Sequence, residues 1–135
     1  MFVVTSHAVK GDTGIPTGYN LAEVTHPLAK LQAAGIAVEF ASIKGGEPPL
    51  DGLEDMNDPT IARYWADQDF RQAMAHTKAI AEINPSDYSA IFFAGGHGTM
   101  WDFPDNGDVH RAIREIYGNG GIVSAVCHGA AARVN

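Results

Sequence analysis

The sequence predicts an α/β protein, a three-layer sandwich with helices on both faces of a mostly parallel sheet. Two observations carry this. Four short apolar runs, rich in β-branched and aromatic residues, alternate with longer stretches of helical periodicity. The third and fourth runs are almost continuously apolar, the pattern of strands buried on both faces of a parallel sheet. In such sheets function gathers in loops at the C-terminal ends of the strands. Three loops here hold residues with chemistry: Ser6 onward, Gly95 to Thr99, and the turn at Cys127.

Phe2 to Thr5 begins the chain as a strand and, by its apolar character, a central one. Ser6 to Pro16 is polar and glycine-containing, hence a loop. Leu21, Val24, Leu28 and Leu31 recur at helical spacing, so a helix is predicted from about Tyr19 to Ala34, kinked or split by Pro27 and closed by Gly35. Ile36 to Ser42 alternates as a second strand, and Gly45-Gly46-Glu47-Pro48-Pro49 is a turn with stiff flanks. Leu50 to Thr60, carrying Asp51, Glu54, Asp55 and Asp58, reads as a solvated acidic loop. Helical patterning then runs from about Ile61 to Ile83, in two pieces broken near Trp65 to Asp67. Tyr88 to Ala94 is the third strand, and Asp105 or Asn106 would cap a helix over Val109 to Tyr117. Ile122 to Val126, behind two glycines, is the fourth strand, expected to be buried on both faces. Gly129 and three alanines follow Cys127 and predict a helix there.

At 135 residues the chain is expected to form one domain. Its 16 acidic residues outnumber 9 basic ones, and the resulting charge of −7, with no Lys/Arg cluster, argues against a nucleic-acid surface. One cysteine cannot form an internal disulfide, which points to a reducing cytoplasm. The start, Met-Phe-Val-Val-Thr-Ser, has no basic n-region and is too short for a signal peptide or membrane span.

Cys127 sits where a strand turns sharply into a predicted helix, a nucleophile elbow. A thiol at a helix N-terminus meets unpaired N–H groups that favour the thiolate, whereas a lone cysteine in an apolar run is otherwise a packing residue. His128 follows directly, but neighbours at a sharp turn can point apart. Its N–H could instead serve an oxyanion site while its ring faces a carboxylate or a backbone carbonyl. Gly95-Gly96-His97-Gly98 lets backbone approach a substrate closely, and its spacing is not that of a phosphate loop. Glu23 lies within two turns of the first helix's start, and spacing alone does not carry it to the thiol. The six histidines, His7, His26, His76, His97, His110 and His128, form no H-x-x-x-H pair, leaving only a metal site assembled from distant loops. Trp101 walls a pocket or packs in the core.

With these residues in view, the chain resembles the ThiJ/PfpI superfamily, whose flavodoxin-like fold is that of class I glutamine amidotransferases. The resemblance covers the whole chain. It rests on Val4-Thr5-Ser6-His7, Thr17-Gly18-Tyr19 with Glu23, Phe40-Ala41-Ser42 through Asp51, Phe93-Ala94-Gly95-Gly96-His97-Gly98, Met100-Trp101-Asp102, and Ala125-Val126-Cys127-His128. The stretch from Gly45 to Asp51 and the Gly-Gly-His-Gly loop are similar to the stress-chaperone and glyoxalase III branch.

The resemblance implies a nucleophilic Cys127, the family histidine at His128, and a glutamate that hydrogen-bonds the thiol at Glu23. It implies oxyanion donors near Gly96 and His128, and a substrate-binding loop through Gly96, His97 and Gly98. The expected activity is a cofactor-independent conversion of methylglyoxal to lactate through a cysteine hemithioacetal, with no metal or nucleotide. An amidase or peptidase using the same Cys–His pair, and a non-enzymatic chaperone or redox sensor, are the alternatives. Family members often form homodimers, and their domain normally continues for several strands and helices past the elbow. The expectation is therefore a partner, either a second copy or a separate C-terminal segment, that completes the fold.

Overall fold

A computed structural model describes residues 1–51 and 56–133. Five strands form one sheet in the order β3-β2-β1-β4-β5, with every neighbouring pair parallel. They are β1 (Phe2–Val4), β2 (Phe40–Ser42), β3 (Lys78–Ala79), β4 (Ala90–Phe93) and β5 (Ile122–Ala125). The helices are α1 (Leu21–Ala33), α2 (Pro59–Ala66), α3 (Gln68–Ala75), α4 (Thr99–Asp102) and α5 (Gly107–Gly118). This is the predicted α/β architecture, with β1 central between β2 and β4.

Alternation along β1 sorts the core into two layers. Val3 points to one face, with Ala41, Ile91 and Phe93, and is covered by Val109, Ala112 and Ile116 of α5. Phe2 and Val4 point to the other, with Phe40, under Leu21, Val24 and Leu28 of α1 and Ile61, Tyr64 and Phe70 of α2 and α3. Side-chain caps start the helices where the sequence supplies them. Asn20 Oδ1 accepts from Glu23 N at 3.1 Å, Asp58 Oδ1 from Thr60 N at 2.8 Å, and Asn106 Oδ1 from Asp108 N at 2.9 Å.

Several expectations are corrected. Helix α1 runs unbroken through Pro27; its apolar face, including fully buried Val24 and Leu28, holds the segment in place despite the lost N–H. Only Phe40–Ser42 of the second run is strand, and Ile36 is half-exposed. The helical pattern from Ile61 ends at Ala75; β3 and two short 3₁₀ turns, Ile80–Glu82 and Pro85–Asp87, follow. The acidic stretch is partly a helix cap at Asp58, while Glu54 and Asp55 lie outside the described residues. Cys127–Arg133 is 3₁₀ rather than α-helical, so fewer N–H groups line up behind the thiol than an α-helix would supply.

The largest correction concerns β5. It pairs with β4 alone, at the edge of the sheet. Val123 and Ala125 pack on the α5 side, but Ile122 is 66% exposed. On the other face, Leu31 of α1 stands at the rim of the surface that β4 and β5 present. An apolar groove of about 860 Å³ remains there, lined by Phe2, Leu31, Ile36, Val38, Phe92 and Ile122. Among the described residues no helix is long and apolar enough to cross a membrane.

Candidate active site at the carboxyl ends of the strands

Cys127 lies just past β5 with φ at +52°, the one non-glycine residue in the left-handed region among the described residues. The strain is held by close packing behind it. Val126 N donates to Phe93 O at 3.1 Å and Gly129 N to Val126 O at 2.9 Å. A β-carbon on Gly129 would collide with Phe93 O. The turn is thereby pressed onto the end of β4, and the thiol projects outward, exposed, with Sγ 3.3 Å from His128 Nδ1.

The neighbouring strand end brings the carboxylate. Asn20 N donates to Gly95 O at 3.0 Å, which lays the start of α1 along the Gly95–Gly96 backbone. Gly96, at φ +120°, permits this: a β-carbon there would collide with Gly18 O. One turn into α1, Glu23 folds over Gly95. A β-carbon on Gly95 would overlap Glu23 Oε1 and stand 3.0 Å from Cys127 Cβ, so the carboxyl and the thiol's own carbon flank the same empty position. Glu23 Oε1 is buried without a hydrogen-bond partner. Burial pushes this carboxyl above its ordinary range, while the Gly95 N–H beside it works in the opposite sense.

Two imidazoles form the opposite wall. The His97 ring lies against His128 with centroids 4.6 Å apart and planes inclined by 38°. His97 Nδ1 is 3.7 Å from Asp51 Oδ2. Thr99, fully buried, directs its hydroxyl at both Gly96 O (2.9 Å) and His128 O (2.8 Å), tying the two loops together. Gly98 packs on the His7 carbonyl and on Thr5. Asp102 accepts from Thr5 Oγ1 and Ser6 N, both at 2.7 Å, and holds the β1 loop; burial raises its carboxyl. His7 stacks on Trp101 at 5.0 Å, so Trp101 is half-exposed and outside the core.

The sequence reading that Asp51 belongs to a solvated loop does not hold. Tyr19 N donates to Pro49 O at 2.9 Å and Asp51 N to Tyr19 O at 3.0 Å, a short parallel bridge that turns Asp51 inward. The stiff Pro48-Pro49 pair was the available signal. Among the described residues the His128 ring faces the sulfur. Among the described residues no three His, Cys, Asp or Glu side chains gather as a metal would need.

The sequence matches the DJ-1/PfpI family over residues 15–134. The chain belongs to the DJ-1/PfpI family. Among curated relatives, the glutathione-independent glyoxalase HSP31 of Saccharomyces cerevisiae is 36% identical over 124 residues, which are 87% of this chain and 52% of that protein. Glyoxalase 3 of Candida albicans is 30% identical over 122 residues, 87% of this chain and 52% of that one. Among solved structures, the Rapid Encystment Protein 24 KDa of Francisella tularensis aligns over 97% of this chain and 59% of its own, with 39% identity and a TM-score of 0.89. Glyoxalase III of Candida albicans aligns over 99% and 59%, with 28% identity and a TM-score of 0.80. This DJ-1/PfpI chain thus spans about half the length of the curated relatives it matches.

Proposed function

We propose that this site carries out a glutathione-independent glyoxalase reaction on small 2-oxoaldehydes, converting methylglyoxal to lactate. The observation that supports it best is the half-buried Glu23 beside Cys127, with its Oε1 buried and without a hydrogen-bond partner. The names of the glyoxalase relatives point the same way.

In this reading the Cys127 sulfur adds to the aldehyde carbon, and the aldehyde oxygen takes up a proton, giving a hemithioacetal. His128, 3.3 Å from the sulfur, receives the thiol proton. Glu23 removes the proton from the former aldehyde carbon and returns it to the adjacent ketone carbon. The proton on the hemithioacetal oxygen passes to the former ketone oxygen. The result is a lactoyl thioester on Cys127, and water cleaves it to lactate and free thiol. Backbone N–H groups of Gly96 and His128 serve as the oxyanion donors for the enediolate and for hydrolysis. Elevation of the Glu23 carboxyl suits it to exchange a proton in both directions.

A thioester or acyl-enzyme forms on the amidase route too, so its detection does not separate the two; the substrate does. Incubation with methylglyoxal, with lactate measured, is expected to show turnover that disappears in Cys127→Ala and falls by about a hundredfold or more in Glu23→Gln. Turnover of amides with none of methylglyoxal, or full glyoxalase activity in Cys127→Ala, would overturn the reading.

A further inference from the structure

A cavity of about 160 Å³ opens between the Glu-Pro-Pro-Leu segment and the corner where α2 meets α3. Three polar side chains line it, Tyr19, Glu47 and Arg71, on walls that include Pro49, Leu50 and Trp65. Cys127, His128 and Glu23 are not among its lining residues, and the reaction above uses none of the three.

Both walls are set before any ligand arrives. Gly46 exchanges two backbone hydrogen bonds with Thr77, just past α3, at 2.9 and 3.1 Å. Tyr19 N donates to Pro49 O at 2.9 Å, so the backbone that carries Glu47 is pinned on either side of it. On the facing wall the Arg71 guanidinium lies 3.7 Å from the Trp65 ring centroid, and its Nη1 donates to Trp65 O at 3.1 Å. The stack and that one bond restrain a long side chain. The rest of the guanidinium fork has no protein acceptor among the described residues.

The charges do not cancel within the protein. Among the described residues neither Arg71 nor Glu47 forms an ion pair, yet both act on the Tyr19 phenol. Burial pushes that phenol up to about 12, with Arg71 working against the rise and Glu47 adding to it. Tyr19 therefore keeps its proton at neutral pH and is a donor, and its hydroxyl has no hydrogen-bond partner among the described residues. A cation, a neutral donor and an anion around one cavity suit a ligand that carries both signs of charge. At about 30 Å³ for each water displaced, the space holds roughly five or six non-hydrogen atoms.

We propose that this cavity binds a small zwitterion, a free α-amino acid with little or no side chain. Its carboxylate accepts from Arg71 and from the Tyr19 hydroxyl, and its ammonium group donates to Glu47. The assignment does not depend on the glyoxalase reading, because binding is measured without turnover.

The probe is glycine, titrated into the whole isotope-labelled protein and followed by NMR at the Gly46 and Glu47 amides and the Trp65 indole N–H. A saturable shift confined to the cavity is expected. Acetate and methylammonium each carry half of the charge pattern and are expected to bind about tenfold or more weakly, as is leucine, which overfills the space. Arg71→Met is expected to weaken glycine binding about tenfold or more, and Tyr19→Phe by about threefold to tenfold. Glu47→Gln is expected to erase the preference for glycine over acetate. Arg71 and Glu47 are exposed, so their variants are expected to keep the fold.

No saturable shift, shifts confined to other parts of the molecule, or acetate or leucine bound as tightly as glycine would overturn the zwitterion site. So would an Arg71→Met protein that binds glycine as the wild type does. Absence of lactate formation by wild-type protein, with the glycine titration behaving as described, would overturn the glyoxalase reading and leave this site standing.

Discussion

Glu23 shows what a site costs at the scale of one residue. Its carboxyl is raised by burial, so the native state holds its proton more tightly than the unfolded chain does. Below the ordinary carboxylate range both states are protonated and the residue has no pH-linked effect. As pH rises, the unfolded chain ionises first, and stability is lost up to the raised native value. Glu23→Gln is therefore expected to melt higher than wild type at neutral pH and level with it at low pH, as a series of thermal melts would show. Equal melting at all pH values would mean that the carboxyl is solvated after all. In the proposed reaction, stability and proton transfer pull in opposite directions at this position. Helix spacing alone did not carry Glu23 to the thiol; the resemblance implied that pairing through Thr17-Gly18-Tyr19. What places it beside Cys127 is the bare face of Gly95 and the collision that any side chain on Gly96 would make with Gly18 O. Both are tertiary facts with no local signal. Cys127 was legible, because a strand-to-turn junction followed by small residues is written in the chain itself.

Among the elements, helices α1 and α5 and strands β1, β4 and β5 lie close to where their apolar runs placed them, while the segment from His76 to Ile83 does not. Helices α1 and α5 follow their apolar spacing closely, and the Asn106 cap was visible as an Asn before an apolar-periodic run. Strand β3 is two residues long and carries Lys78, so nothing in its composition distinguishes it from the helix before it. It exists because β2 offers an edge. The elbow depends on Gly129 more than on any propensity. Gly129→Ala must push Cys127–Arg133 away from Phe93 O and Ala94 O, and is expected to lower stability by about 1–3 kcal/mol. A reduced urea midpoint at unchanged m-value would register it. An unchanged midpoint would show that the turn has room to retreat.

For the molecule as a whole, the sheet is three layers deep at its β1 centre and two at its β5 end. The groove over Phe92 and Ile122 leaves apolar surface and a strand edge bare in the described residues, the kind of edge natural sheets cover or charge. The apolar run at Ile122 to Val126 announced burial on both faces without saying what buries the second one. Ile122→Lys distinguishes a covered edge from a bare one. If the edge is bare, melting is unchanged and solubility rises; if a second copy or a further segment lies on it, melting falls by several degrees. The position of β5 also bears on how the site is held together. The pairings of β1 with β2 and of β1 with β4 involve the centre of the sheet and the strand end where Glu23 lies over Gly95, while β5 joins the sheet through β4 alone. An edge strand has fewer backbone partners than a central one, so it belongs to the part of a sheet that opens more readily. Loss of that edge pairing would carry Cys127 away from Glu23 while the pairing of β1 with β2 and β4 is kept.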